Sequence, residues 1–149
     1  MKLFIKILTI TILIVSCSAN KIIDKRVAYF DDLESVNYFI GKGFYASKLN
    51  SEDLFIVDEV LEKAILNDEF YFLNEKNLFE LKKYYRQVLV YKDSNNDKWV
   101  YISAMCKVHS NIEWKKEMYS VTDGGPCYWN IKINLTKKEY HDIIVNGYA

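Results

Sequence analysis

The sequence predicts an α+β domain in which an N-terminal helix packs on an antiparallel sheet of four or five strands. Apolar residues first recur at steps of three and four between residues 54 and 65, which is the period of a helix. From residue 84 onwards they recur largely at steps of two, which is the period of strands with one buried face. Because the period changes once, the helix is expected to precede the sheet along the chain.

The helix is expected to begin at Asn50 or Ser51, since both residue types cap helix N-termini, and to end at residues 67–68. Its first turn is acidic, which suits the positive end of the helix dipole. The apolar stripe consists of Leu54, Val57, Leu61 and Ile65. After the helix, residues 71–73 are expected to form a short strand and residues 78–81 a single helical turn.

The strands are predicted from β-forming runs that are separated by polar turns. Residues 93–97 form such a turn and predict a hairpin. In the tail, residues 136–139 fit a helix capping box, whereas the β-branched run 143–145 favours a strand, which is the structure we expect. The expected strands are residues 84–91, 99–106, 116–121, 128–135 and a final strand in the tail.

The start of the chain has the order of a bacterial export signal. Lys2 and Lys6 supply positive charge, and residues 7–15 form an uncharged apolar run. A run of this length is too short to cross a membrane as a helix. Residues 14–17 resemble a lipobox, in which Val15 departs from the usual Ala or Ser. The pattern therefore predicts an export signal that ends at a cysteine.

Cleavage before Cys17 would leave this cysteine acylated and would hold the protein on a membrane. We expect a lipid-anchored protein of the bacterial cell envelope, at the outer membrane. Cleavage at the small residues 17–19, followed by free secretion, is the alternative. The expected domains are residues 1–16 as signal peptide, 17–29 as lipidated cysteine and tether, and 30–149 as a single α+β domain.

Composition limits the classes of partner. The 20 Lys and Arg balance the 20 Asp and Glu, and removing the two lysines of the leader leaves 18 against 20, a net charge near −2. No basic patch is available for a phosphate backbone, so nucleic acid is not an expected partner. The two histidines, His109 and His141, match no metal-ligand spacing, and we expect neither a metal nor another cofactor.

Cys106 and Cys127 remain once Cys17 is assigned to the lipid. An even pair outside the cytoplasm favours a disulfide, and two buried free thiols are the alternative. A simple meander argues against the bond, because a strand at 116–121 would separate the strands that carry the two cysteines. Either residues 107–116 loop back and shorten that middle strand, or the bond does not form.

Four stretches in residues 80–149 suggest a family. They are 84–87 (YYRQ), 99–102 (WVYI), 123–136 (DGGPCYWNIKINLT) and 146–149 (NGYA). Together they resemble a family of small envelope lipoproteins of Bacteroidota, and the DGG-x-C-aromatic stretch is the most specific part. This resemblance implies a secreted or lipid-anchored domain with no assigned activity. The order of elements is similar to that of cystatin-like and NTF2-like folds, an analogy that carries no activity.

Three functions fit these observations. We expect a non-enzymatic module that binds a protein or a small ligand, because Tyr84, Trp114, Tyr119 and Tyr128 are candidates for an exposed aromatic surface. The first alternative is an inhibitor or immunity-type protein that blocks an enzyme with its loops 107–116 and 122–127. The second is a hydrolase that uses Cys127 with His141 and Asp142.

Overall fold

The structure is a computed structural model that describes residues 24–109 and 113–148. Within these ranges it is mixed α and β, with three α-helices and one open sheet of six strands. The helices are α1 (Leu33–Phe39), α2 (Ser51–Leu66) and α3 (Leu78–Lys82). The strands are β1 (Val27–Phe30), β2 (Tyr45–Ala46), β3 (Tyr85–Lys92), β4 (Lys98–Met105), β5 (Tyr128–Asn134) and β6 (Glu139–Val145).

The sheet has the order β1-β3-β4-β5-β6, and β2 also pairs with β3. Strands β3 to β6 form an antiparallel meander that lacks the strand predicted at 116–121. On the other side of β3, the parallel strand β1 pairs with residues 86–89 and the antiparallel strand β2 with residues 91–92. The prediction of four or five antiparallel strands therefore differs from the structure, which has six strands and one parallel pair. Strand β1 also begins inside the predicted tether 17–29, so the sheet starts before residue 30.

The central helix was predicted correctly, and its first turn explains why it begins where it does. Asn50 Oδ1 accepts a hydrogen bond from Asp53 N at 2.8 Å, and Asp53 Oδ2 accepts one from Asn50 N at 2.8 Å. This reciprocal capping box satisfies two backbone donors that the helix cannot satisfy internally. Asp53 also forms an ion pair with Lys98, which ties the start of α2 to the start of β4.

Both faces of the sheet are covered. Val88, Val90 and Val100 face α2 and belong to the larger core. Their neighbours Leu89 and Tyr101 point to the opposite face, where α1 and the segment after it cover a smaller core. The alternation of strand side chains thus explains why β3 and β4 are apolar on both sides.

Two predicted strands are absent, and one absence explains the disulfide. Residues 71–73 and 116–121 form turns and irregular structure rather than strands. Because no strand is inserted at 116–121, β4 and β5 are direct neighbours, which was the first of the two outcomes expected from the sequence. Cys106 and Cys127 are bonded with their Cα atoms 4.8 Å apart, and Cys106 N donates to Cys127 O at 2.8 Å.

Candidate functional site

The main candidate site is an apolar groove between the edge strand β1 and helix α2, here called the β1 groove. It has a volume of about 900 Å³. Val90 of β3 contributes to its base, and Lys48 and Asp31 form an ion pair at 3.2 Å on its lining. The lining residues from β1, from α2 and from the segment before it are Tyr29, Phe30, Leu49, Asn50, Ser51, Leu54, Phe55 and Asp58.

The groove exists because α2 covers the sheet unevenly. The buried residues of α2 pack on β3, β4 and β5, and one flank of the helix is left facing β1. Leu54, Phe55 and Asp58 lie on this flank, since they fall within about one third of the circumference of the helix. Phe55 is 76% exposed although it is a large apolar residue. A helix flank and a strand edge therefore enclose an apolar surface that residues 24–109 and 113–148 leave as a cavity.

A smaller cavity of about 210 Å³, here called the inner chamber, adjoins the β1 groove. Arg86 lines it from β3 and is only 8% exposed. Arg86 Nη2 donates to Asp24 Oδ2 at 2.6 Å, whereas Nε is buried without an acceptor. Burial lowers the pKa of Arg86, and the nearby Asp24 opposes this shift. The guanidinium remains charged at neutral pH because its ordinary pKa is far above 7.

The charges around the groove and the inner chamber are balanced. The lining contains three carboxylates and three cations, and each cation has one carboxylate partner. The ion pairs are Lys48 with Asp31 at 3.2 Å, Lys82 with Asp58 at 2.6 Å, and Arg86 with Asp24 at 2.6 Å. The site therefore has no net charge of its own before a ligand binds.

A second concave site, here called the Trp99 cleft, lies on the opposite face and has a volume of about 600 Å³. The ring of Trp99 stacks on Tyr91 with centroids 6.3 Å apart, and its Nε1 donates to Asp93 Oδ2 at 3.0 Å. Burial raises the pKa of Tyr91 well above its ordinary value. The ion pair of Lys132 with Asp142 at 2.9 Å also lines the cleft. Because these polar groups already satisfy one another, the cleft is a weaker candidate than the β1 groove.

A fully buried glutamine holds the loop between the bonded cysteines. Gln87 is 0% exposed and points to the face opposite α2. Its Nε2 donates to Trp114 O at 2.6 Å and to Glu117 O at 2.7 Å, and its Oε1 accepts from Tyr119 N at 3.1 Å. One side chain thus supplies hydrogen bonds that a neighbouring strand would otherwise supply to this segment.

The four aromatic residues expected to form one exposed surface are divided between the two faces of the sheet. Tyr84 packs against Trp129 on the α2 face, with ring centroids 5.8 Å apart. Trp114, Tyr119 and Tyr128 lie on the opposite side, where Tyr128 is only 8% exposed. The expectation of exposure is wrong for Tyr128, because its hydroxyl is paired with His109 at 2.9 Å and its ring is covered by the turn before β5.

That turn contains two glycines, and an aromatic ring lies close to the backbone at each of them. Gly124 has φ +90°, and a Cβ placed there would lie 2.6 Å from a ring carbon of Tyr128. Gly125 has φ +62°, and a Cβ there would lie 2.5 Å from a ring carbon of Tyr148. Both backbones are left-handed, which favours glycine, and a Cβ at either position would have to displace the ring that it meets. The DGG stretch therefore has a structural reason that is independent of any catalytic role.

The residues of the hydrolase alternative do not come together. Cys127 is bonded to Cys106, and a sulfur in a disulfide offers no thiolate for nucleophilic attack. His141 pairs with Lys132, five residues beyond Cys127, which places it roughly 16 Å further along the sheet. Residues 24–109 and 113–148 contain no group of three or more His, Cys, Asp and Glu that could hold a metal ion.

No family model, curated protein or solved structure matches this chain. In the part of the chain that the structure describes, no helix is long and apolar enough to cross a membrane. Cys17, the predicted lipidation site, lies outside the described residues.

Sequence reasoning missed Arg86 of the inner chamber and Gln87, which holds the loop between the cysteines. Arg86 and Gln87 lie in a strand that was predicted correctly, yet neither was singled out. The sequence did contain a signal for Arg86. Because strand side chains alternate, Arg86 lies on the same apolar face as Val88 and Val90, two and four residues later. A charged residue on the apolar face of a strand is unusual and indicates either a buried ion pair or a binding site.

Proposed function

We propose that this chain is a non-enzymatic binding module and that an apolar small molecule occupies the β1 groove. The observation that carries the proposal is the groove itself, whose volume of about 900 Å³ falls in the range typical of small-molecule sites. Its lining is largely apolar and includes a few charged groups, which is the composition expected of such sites. An unfilled apolar surface beside the highly exposed Phe55 also costs solvation free energy, which a ligand would recover.

A fluorescence titration with the neutral apolar dye N-phenyl-1-naphthylamine tests the proposal. Leu54→Trp adds bulk inside the groove, so we expect it to weaken dye binding by tenfold or more. Leu66→Trp is the matched control, because Leu66 lies on the same helix but is 82% exposed and lines neither cavity. Equal dye affinity in the wild type and a folded Leu54→Trp variant would overturn the proposal.

We also propose that the protein is exported and lipid-anchored at Cys17 in the cell envelope, as the leader predicts. Strand β1 begins ten residues after Cys17, so an extended tether would keep the groove within about 35 Å of the lipid. Metabolic labelling with palmitate should label the wild type and should not label the Cys17→Ser variant. An unlabelled wild type would contradict the anchor.

The resemblance to the Bacteroidota lipoproteins and the similarity to cystatin-like or NTF2-like folds remain proposals. The support for the fold similarity is that the long helix α2 precedes the antiparallel strands β3 to β6 and packs on one face of them. The parallel strand β1 and the covering of the opposite face by α1 depart from that simple arrangement.

A second candidate function is inhibition of a protein partner by the loop between the cysteines. The observation that favours it is preorganisation, because the disulfide and Gln87 both fix this loop before any partner binds. If the loop carries the function, Gln87→Met should weaken capture of a purified partner enzyme, whereas Leu54→Trp should leave it unchanged. The reverse result would favour the groove.

A further inference from the structure

Arg86 lies on the sheet face beneath α2, where it is buried. Among the described residues, it is the one charged side chain on this face that has a buried donor without an acceptor. Its neighbours on this face, Val88 and Ile102, are apolar. A buried guanidinium that leaves Nε without an acceptor is unfavourable, because the donor has lost its water without gaining a partner. The fold alone therefore does not account for the position of this group.

The side chain of Arg86 lies beside a cavity and is not enclosed by packed atoms on every side. Arg86 lines the inner chamber, which shares the lining residues Tyr29, Leu49, Leu54 and Asp58 with the β1 groove. An apolar chain in the groove would therefore extend towards the guanidinium. Strand β1, along which the groove runs, has four residues and measures roughly 13 Å, a length suited to an extended hydrocarbon chain.

The present partner of Arg86 is exchangeable. Asp24 is exposed and precedes β1, and it contacts only Nη2 of the guanidinium in the described structure. The other carboxylate of the chamber, Asp58, is paired with Lys82 at 2.6 Å. A ligand carboxylate in the inner chamber can thus take the place of Asp24 as the acceptor from Nη2, in the charge-assisted hydrogen bond that a guanidinium favours.

We propose that the β1 groove binds a long-chain monocarboxylate, with its hydrocarbon chain along β1 and its carboxylate on Arg86 in the inner chamber. This proposal rests on the proposed function and names the ligand class. A single negative charge suits the balanced lining better than a phosphate dianion, which would leave more uncompensated charge in a partly buried site. A neutral head group would leave the charged donor with a weaker partner.

The test compares two probes that differ only in the head group, dansyl-undecanoic acid and its methyl ester. The Cys17→Ser protein is produced without the leader 1–16, because without the lipid and the apolar leader it needs no detergent that would compete for the groove. We expect the acid to bind about tenfold or more tightly than the ester. Arg86→Gln should remove this preference by weakening the binding of the acid, whereas Lys132→Gln, which removes an ion-paired cation that lines neither the groove nor the inner chamber, should leave the preference intact.

Asp24→Asn gives an independent test, since Asp24 is exposed and the asparagine keeps a side-chain oxygen that can accept from Arg26 N. Removing the competing carboxylate should raise the affinity for the acid about threefold and should not affect the ester. Unchanged acid affinity in Asp24→Asn would overturn the proposal even if Arg86→Gln failed to fold. Equal affinity of the wild type for acid and ester would overturn the carboxylate and leave the groove as the site. Failure of both probes to bind would overturn the groove as well.

Discussion

Gln87→Met is the substitution that most directly perturbs the loop between the cysteines. Methionine has a similar length but removes the three hydrogen bonds that Gln87 makes with Trp114 O, Glu117 O and Tyr119 N. At about 1 kcal/mol for each neutral hydrogen bond, the variant should lose roughly 3 kcal/mol of unfolding free energy. This is a large fraction of the stability of a small domain.

Urea unfolding followed by circular dichroism measures the loss, and hydrogen exchange of the Tyr119 amide locates it. We expect the amide of Tyr119 to exchange faster in Gln87→Met while the amides of β4 stay protected. A Gln87→Glu variant should lose more stability at neutral pH, because its carboxylate would face two carbonyl oxygens. A loss below about 1 kcal/mol, with unchanged Tyr119 exchange, would refute the assigned role of Gln87.

Three further predictions concern the covalent link and the turns. Replacing Cys106 and Cys127 by Ala should lower the unfolding free energy by about 3 kcal/mol, the value expected for a loop with a sequence separation of 21, and a loss near zero in urea unfolding would contradict it. Gly124→Ala should cost about 3 kcal/mol and Gly125→Ala about 1 kcal/mol, since the added methyl meets a buried ring in the first case and an exposed ring in the second. Equal melting temperatures of the two variants would be inconsistent with this difference. Lys138→Gly should be about 1 kcal/mol more stable than Lys138→Ala, because both variants lose the ion pair with Glu59 and only glycine relieves the left-handed backbone at φ +55°, and equal melting temperatures would argue against strain at this turn.

The elements that the sequence predicted well have a strong local signal. Helix α2 combines a capping residue, Asn50, with an apolar stripe over about three turns, so its start and its buried side follow from the sequence. Strands β3, β4 and β5 have long β-forming runs, and their bounds were predicted to within one or two residues. In the tail, the β-branched run 143–145 correctly outweighed the capping-box pattern, and the structure has strand β6 there.

The elements that it missed depend on contacts distant in sequence. Strand β1 has only four residues and forms because β3, more than fifty residues later, offers a free edge. Residues 116–121 have strand-like composition, but Gln87 satisfies part of this segment and the disulfide draws β4 and β5 together. The β1 groove is equally invisible in the sequence, because it is a space between a helix flank and a strand that local patterns do not bring together.

Backbone amide chemical shifts report where an apolar ligand binds, and they therefore show whether the β1 groove is the binding site. The isotope-labelled Cys17→Ser protein would be titrated with N-phenyl-1-naphthylamine. The β1 groove predicts shifts concentrated in residues 29–31 and 48–55, with the Trp99 cleft unaffected. Shifts concentrated at the Trp99 cleft, or no saturable shifts at all, would contradict the assignment of the β1 groove as the binding site.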